Sequence, residues 1–380
     1  MNTTNQIYLD YAAATPLDPQ VKEAMEPFLA HEFYNPSATN QGARMVRQKL
    51  QAARALVAHW LGAQASEVVF TAGGSEANNL AIHGVMRMYP DANIVISSIE
   101  HESVLAPASR YDIRIVNVQK DGRVDLDDLR TKIDDKTVLV SIMQANNEIG
   151  TVQPVREVAA LIKSIREARE SSALPLLVHS DACQAANYLD LHVARLGVDL
   201  LSLNGGKIYG PKQTGALYVK AGVELQPLID GGGQEFGLRS GTENVAGSVG
   251  FATALDIVQT KRHEESERLR ALQTCFFDQI EAELPNAIIN GSRKYRLANN
   301  VHLTLSGTDN ERVLIELDEA GIVAAAGSAC SASDETPSHV LRAIGLSDQE
   351  AQSSLRFTLG KNTTKADIER TIEILKQILA

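Results

Sequence analysis

Between residues 66 and 220, short β-branched runs alternate with longer amphipathic stretches, and this alternation limits the possible folds more than any other feature. The runs are EVVF (67–70), NIVIS (93–97), IRIVNV (113–118), TVLVSIM (137–143), LLVHSD (176–181), VDLLSLN (198–204) and TGALYV (214–219). Most lack a regular polar alternation, as befits strands covered on both faces. Between them, EANNLAIHGVMRM (76–88) and VREVAALIKSIREARE (155–170) carry apolar residues at helical spacing. Strand and helix in alternation predict right-handed crossovers and a mostly parallel α/β sheet. Ligands of such sheets bind beyond the carboxyl ends of the strands.

At 380 residues the chain exceeds what one simple core serves, so a second unit is expected. The charged stretch DIVQTKRHEESERLRALQTCFFDQIEAEL (256–284) reads as one long linking helix. Beyond it, NNVHLTL (299–305), a helix near 310–320, SLRFTL (354–359) and a terminal helix form a smaller α/β region. Residues 15–258 are expected to make the large domain, and 1–14 with 259–380 the small one. Apolar residues at 44% and charged residues at 22% are ordinary for a soluble globular chain. A net charge of −11 argues against nucleic acid or anionic membrane as a direct partner. No run of about 18 apolar residues predicts a membrane span, and MNTTNQIYLDYAAATP lacks the basic start and apolar stretch of a secretory leader. Cys183, Cys275 and Cys330 are widely spaced with no Cys-x-x-Cys pair. That excludes a disulfide framework or a zinc ribbon, leaves no expected metal site and fits a reducing cytoplasm.

Polar motifs gather where the apolar runs end. FTAGGSEANN (70–79) is a strand, a glycine turn and a helix start, where Gly73, Gly74 and Ser75 can present donors to phosphate. SIEHESVL (98–105) places His101 just past a strand, and QANNEIG (144–150) follows the next. HSDACQA (179–185) ends a strand on Asp181, with Gln184 three residues on. Lys207 follows in SLNGGKIYGPKQTGALY (202–218). It is no nucleotide P-loop: the required upstream glycine falls on Leu201 or Ser202, and Ile208 stands where Ser or Thr must follow the lysine. Taken singly, each motif has an ordinary structural reading as a cap, a turn or a core histidine. Together they supply what pyridoxal phosphate requires: a lysine for the aldehyde, an acid for the pyridinium nitrogen and an anion site.

With YLDYAAATP (8–16), NPS (35–37), NNEIGTVQP (146–154), GGGQEFGLRSGTENVAG (231–247), GSACSAS (327–333) and SSLRFTLG (353–360), these motifs resemble the cysteine desulfurases of the class V aminotransferase group. The resemblance spans nearly the whole chain and points to the kind that supplies sulfur for nitrogenase and iron–sulfur assembly. It implies the pyridoxal-phosphate transferase fold type I, with Lys207 as the Schiff-base lysine and His101 stacked on the ring as a candidate second proton carrier. Asp181 would pair with the pyridine nitrogen, Gln184 with the ring hydroxyl, and Ser75, Gly74 and Asn204 would lie at the phosphate. Thr242 of a second subunit would reach the same phosphate, which implies a homodimer. Arg356, helped by Asn147, would bind the substrate carboxylate.

Cys330 lies in GIVAAAGSACSASDETPS (321–338), whose composition predicts a loop; the thiol-bearing part is expected at about 325–338. By resemblance its thiolate would take sulfur from L-cysteine as a persulfide, leave L-alanine and pass the sulfur to an acceptor protein. The acceptor could belong to iron–sulfur assembly, tRNA thiolation or DNA phosphorothioation. Cys183 and Cys275 are expected to be structural. A selenocysteine lyase or aminotransferase of the same fold, and a non-catalytic binding protein, are the alternative readings.

Two features depart from the family pattern. The family reads Ser-x-His-Lys or close to it at the lysine, where this chain has Asn204 and Gly206, and Asn40 replaces a usual His. An Asn amide can still donate, but glycine offers nothing in place of an imidazole. A charge-assisted hydrogen bond is worth about 1.5–3 kcal/mol, so cofactor affinity is expected to fall by about one to two decades unless a neighbour substitutes.

Overall fold

A computed structural model describes residues 6–170, 174–327 and 337–379. Its strands are β1 (Ile7–Tyr8), β2 (Val68–Thr71), β3 (Asn93–Ser97), β4 (Asp112–Val116), β5 (Thr137–Ser141), β6 (Leu177–Asp181), β7 (Leu200–Asn204), β8 (Gly215–Val219), β9 (Ala287–Ile289), β10 (Asn300–Leu305), β11 (Ile322–Val323) and β12 (Ser354–Thr358). Seven of them form one sheet in the order β2-β8-β7-β6-β5-β3-β4. Each of the seven runs predicted between 66 and 220 supplies one strand of this sheet. β4, β3, β5, β6 and β7 pair in parallel, while β8 runs against both β7 and β2. The reversal has a simple cause: the connection 205–214 is too short to hold a crossover helix, so β8 returns antiparallel beside β7. Every residue of β3, β5 and β8 is buried, which explains their continuous apolar character. Val95, Val140 and Leu201 face one core layer, and Ile94, Ile96 and Leu200 the other.

A second sheet, β12-β10-β9, is antiparallel. Leu303 and Phe357 from it pack with Phe276 and Ile372 of the helices Arg262–Glu283 and Lys365–Leu379. Leu9 joins this core, and β1 pairs in parallel with β11. Among the described residues no helix is long and apolar enough to cross a membrane.

The single helix expected over 256–284 is instead two, Val245–Thr260 and Arg262–Glu283, separated at Lys261. The chain changes cores at that point. Leu255 and Val258 pack into the core of the large sheet, whereas Leu269 and Phe276 pack into that of the antiparallel sheet. The first helix also begins eleven residues early relative to the expected start at 256 (256 − 245 = 11). Its sequence, VAGSVGFATALD, has no polar face to mark it, because the helix is buried on nearly all sides.

The segment 231–241 is fastened to the sheet by a buried ion pair. Arg54 donates from Nη1 and Nη2 to the two Glu235 carboxylate oxygens at 2.6 Å each, and the Phe70 N–H donates to Glu235 Oε2 at 2.7 Å. These bonds hold Glu235 and Phe236 at φ 48° and 60°, a left-handed pair costing about 1–2 kcal/mol per residue. Arg54 also lies over the rings of Phe70 and Phe236. Arg54→Met is expected to lower unfolding free energy by about 3–5 kcal/mol in urea titration, because it strands a buried carboxylate. Arg54→Met with Glu235→Leu should recover most of that loss; no recovery would show that the ion pair is not the origin of the effect.

Candidate active site

The carboxyl ends of β2, β3, β5, β6 and β7, and the start of the reversed β8, lie along one edge of the large sheet. A pocket opens there. Gly74, Ser75, His101, Asn147, Asp181, Gln184, Asn204 and Lys207 line it, and Arg356 reaches it from β12. Thr242 lies outside this pocket, exposed ahead of the helix Val245–Thr260. Cys330 lies outside the described residues. A roomier cavity bounded by Tyr188, Ile257 and Lys361 contains none of the expected site residues.

β7 delivers the lysine through one tight turn, Gly205–Lys207. Asn204 Oδ1 caps it by accepting from the Gly206 N–H at 3.0 Å. Gly205 must be glycine: a Cβ there would collide with Thr214 Oγ1 and approach the Pro211 carbonyl to 3.0 Å. Lys207 Nζ donates to the carbonyls of Ala12 and Ala13 at 2.8 and 2.6 Å, and Gln184 Nε2 donates to the same Ala12 carbonyl at 3.0 Å. The N-terminal YLDYAAATP segment therefore forms a wall of acceptors that orients the ammonium.

The helix Gly74–Met86 follows Gly73, at φ 126°, and among the described residues no side chain caps its first N–H groups. A helix start of this kind attracts an anion. Gly74 lets the backbone approach Cys183, whose Sγ a Cβ would strike, and Asn204 Nδ2 lies beside it. This cradle has the donors and the closeness that a phosphate group requires.

Asp181 is 7% exposed, and among the described residues its hydrogen-bond partners are neutral. Asn78 Nδ2 donates to Oδ2 at 2.6 Å, and the Cys183 N–H to Oδ1 at 2.9 Å. A buried carboxylate held only by neutral donors favours a cationic partner such as a protonated ring nitrogen. The Ser103 N–H donates to His101 Nδ1 at 3.0 Å, so the neutral imidazole carries its proton on Nε2. Asn78 Nδ2 also donates to Ser103 Oγ at 2.8 Å, which ties the histidine and aspartate sides together. Desolvation pushes the thiol pKa of the half-buried Cys183 well up, and the neighbouring Asp181 charge adds to this, so the thiol stays neutral.

Arg356, whose side chain is 1% exposed, donates from Nη2 to Asp10 Oδ1 at 2.6 Å and from Nη1 to the Asn147 carbonyl at 3.0 Å. Asn147 thus meets the arginine through its backbone and not through its amide. Beneath the pocket, Glu100 Oε1 accepts from Ser97 Oγ at 2.6 Å and from the Met143 N–H at 2.9 Å. Complete burial, reinforced by the Asp181 charge, raises its pKa to about 8. His179, held between Ser141 and Ser202, is pushed down to about 4 by burial and stays neutral. Asn78, Asp10 and Glu100 were not singled out from the sequence. All three lie inside motifs read there, but each has a partner distant in the chain that local spacing does not reveal.

A family model described as Aminotransferase class-V matches residues 7–371. The chain is similar to a protein of Dictyoglomus turgidum named Cysteine desulfurase IscS, at 40% identity over 98% of this chain and 94% of that one. Among solved structures, a NifS-like protein superposes with TM-score 0.91 at 30% identity, covering 99% of each chain. A structure titled SspA in complex with cysteine matches with TM-score 0.80 at 35% identity, over 93% of this chain and 99% of the other.

Glu100 has a pKa raised in the folded state, so its stabilising contribution is full below the ordinary carboxylate range and is lost as pH rises through about 8. Glu100→Gln cannot ionise. Its urea midpoint is expected to gain on wild type as pH is raised from about 5 to about 8, and a gap independent of pH would show that the folded protein does not keep this acid protonated.

Proposed function

The chain belongs to the class V aminotransferase family, and on that premise we propose that it is a cysteine desulfurase, an enzyme that takes sulfur from L-cysteine and leaves L-alanine. The observation that carries this reading is the convergence of Lys207, Asp181, His101 and Arg356, from separate elements, on one pocket beside an uncapped helix start. The family's cofactor, pyridoxal 5′-phosphate, supplies when bound a protonated ring that stabilises negative charge at the substrate α-carbon. With that group bound, Asp181 would hold the proton of the ring nitrogen, Gln184 would meet the ring hydroxyl and His101 would lie against the ring, while Gly74, Ser75 and Asn204 would hold the phosphate.

Lys207 moves the proton at the substrate α-carbon, and its Nζ is aimed by the Ala12 and Ala13 carbonyls. His101 holds a proton on Nε2 for a second transfer. Arg356 binds the substrate carboxylate with a planar fork that Asp10 keeps in place. Cys330 attacks the substrate Sγ. A sulfur–sulfur bond forms as the carbon–sulfur bond breaks, and that bonding pair returns to the carbon skeleton, which takes up protons as alanine. Cys330 retains the sulfur as a persulfide for an acceptor protein. We place Thr242 at the phosphate of a second subunit, its exposure outside its own pocket supporting a homodimer. We divide the chain into a cofactor domain, 15–258, and a small domain, 1–14 with 259–380; the helix break at Lys261 and the membership of Leu9 in the second core support this. Cytoplasmic residence is our reading from the cysteine pattern.

Cys330→Ala is expected to keep the visible absorbance of bound cofactor while alanine formation from L-cysteine falls by about two orders of magnitude or more. Undiminished turnover in that variant would overturn the assignment of the sulfur carrier.

A further inference from the structure

The loop 290–296, between β9 and β10, is held from within by an arginine that has no acid. Arg296 is 5% exposed. It donates from Nε to the Ser292 carbonyl at 2.7 Å, from Nη1 to Asn300 Oδ1 at 2.8 Å and from Nη2 to the Asn290 carbonyl. All three acceptors are neutral. Burial, with the Arg293 charge added, lowers its pKa to about 9, and no acid offsets the effect. At neutral pH it is a buried cation without a counter-charge, and such a group gains from an anion placed near it.

The same loop presents Arg293, Lys294 and Tyr295 to solvent. Its backbone is fixed there: the Tyr295 N–H donates to Ser292 Oγ at 3.0 Å, and the Val152 N–H donates to the Tyr295 carbonyl at 2.9 Å. The Arg123 guanidinium lies 4.1 Å from the centroid of the exposed Tyr295 ring, and Lys294 Nζ lies 4.9 Å from it. Among the described residues neither cation is paired with a carboxylate. The neighbouring acids are engaged otherwise, since Glu281 pairs with Arg293 and Asp121 Oδ1 accepts from the Arg123 N–H at 3.0 Å. Asn300 connects this patch to the far side of the loop, its Oδ1 accepting from Arg296 and its Nδ2 donating to the Glu148 carbonyl at 2.7 Å. Glu148 Oε2 in turn accepts from Ser338 Oγ at 2.6 Å, and a Cβ on Gly327 would lie 3.4 Å from that oxygen. Gly327 and Ser338 flank Cys330 in the sequence, so the patch stands two hydrogen bonds from the residue at which those flanks meet.

We propose that Arg123, Lys294 and Tyr295, over the buried charge of Arg296, form the docking surface for an acidic segment of the protein that receives the sulfur. This rests on the desulfurase reading above. Carboxylates of the segment meet the Arg123 fork and the Lys294 ammonium, and their charge also offsets that of Arg296. On a chain of net charge −11 the rest of the surface repels an acidic partner, which leaves this patch to set where it lands. A nucleic acid is a poorer fit, because so few cations neutralise few phosphates while a longer polyanion is repelled. At this surface the acceptor's thiolate attacks the outer sulfur of the Cys330 persulfide. A new sulfur–sulfur bond forms, the old one breaks and Cys330 leaves as a thiolate, with no net oxidation.

The test offers the holoenzyme a labelled decapeptide of Glu and Gly with one Cys, the same peptide with Ser for Glu, and a single-stranded DNA decamer. Binding is read by fluorescence anisotropy at low salt, and sulfur transfer by the radioactive sulfur that each peptide takes up. The acidic peptide is expected to bind about tenfold tighter than the neutral one and to take up sulfur faster, with the preference lost at high salt. The DNA is expected to bind more weakly than the acidic peptide. Arg123→Glu with Lys294→Glu should abolish the preference, and Tyr295→Ala should reduce it several-fold. In both variants alanine formation with dithiothreitol as the sulfur acceptor should stay at the wild-type rate. An unchanged preference in the double variant, or DNA bound as tightly as the acidic peptide, would overturn the proposal. Wild-type protein that forms no alanine from L-cysteine would instead overturn the desulfurase reading, while anisotropy still decides whether the surface holds an acidic segment.

Discussion

Between Asn204 and Gly215 the chain must reverse direction without a helix, and much of the site depends on how that reversal is made. Gly205 accepts the crowding of Thr214 and Pro211, Asn204 caps the turn, and Lys207 emerges at the sheet edge. The same connection is stitched to the N-terminal segment. Thr15 Oγ1 donates to the Gly206 carbonyl at 3.1 Å and accepts from the Tyr209 N–H at 2.8 Å. Those bonds bring Ala12 and Ala13 over the lysine, so one short turn sets both the ammonium and the wall that aims it.

The polar groups around this turn are buried in a way that only paired or hydrogen-bonded groups tolerate. Asp181 is satisfied by Asn78 and a backbone N–H, and Arg356 by Asp10 and a backbone carbonyl. Away from the turn, in the segment 231–241, Glu235 likewise draws donors from Arg54 and Phe70. In each case one partner comes from a remote part of the chain. The site is therefore rigid for the same reason that it is polar: releasing any one group would strand another.

The strands of the large sheet were legible because each is a short apolar run ending in turn chemistry, and the observed limits fall within a few residues of those predicted. The helix over 256–284 was misread because charge along the sequence says nothing of which core each segment serves. Helix Val245–Thr260 left no amphipathic trace because it is buried on nearly all sides. Lys207, Asp181, His101 and Arg356 could be picked out because their residue types and places after strands, or within recognisable motifs, carry chemistry. Asn78, Asp10 and Glu100 could not, since asparagine or a carboxylate near a turn has many ordinary uses.

By itself the sequence determined the alternating framework, the edge at which ligands must bind and the residue types that reach it, because period, turn residues and caps act over a few neighbouring positions. Only the tertiary structure decided that His101 carries its proton on Nε2 and that Asp10 shares Arg356. These depend on atoms brought within hydrogen-bond or van der Waals distance from opposite ends of the chain or across a turn. Local pattern cannot encode such distances; packing sets them.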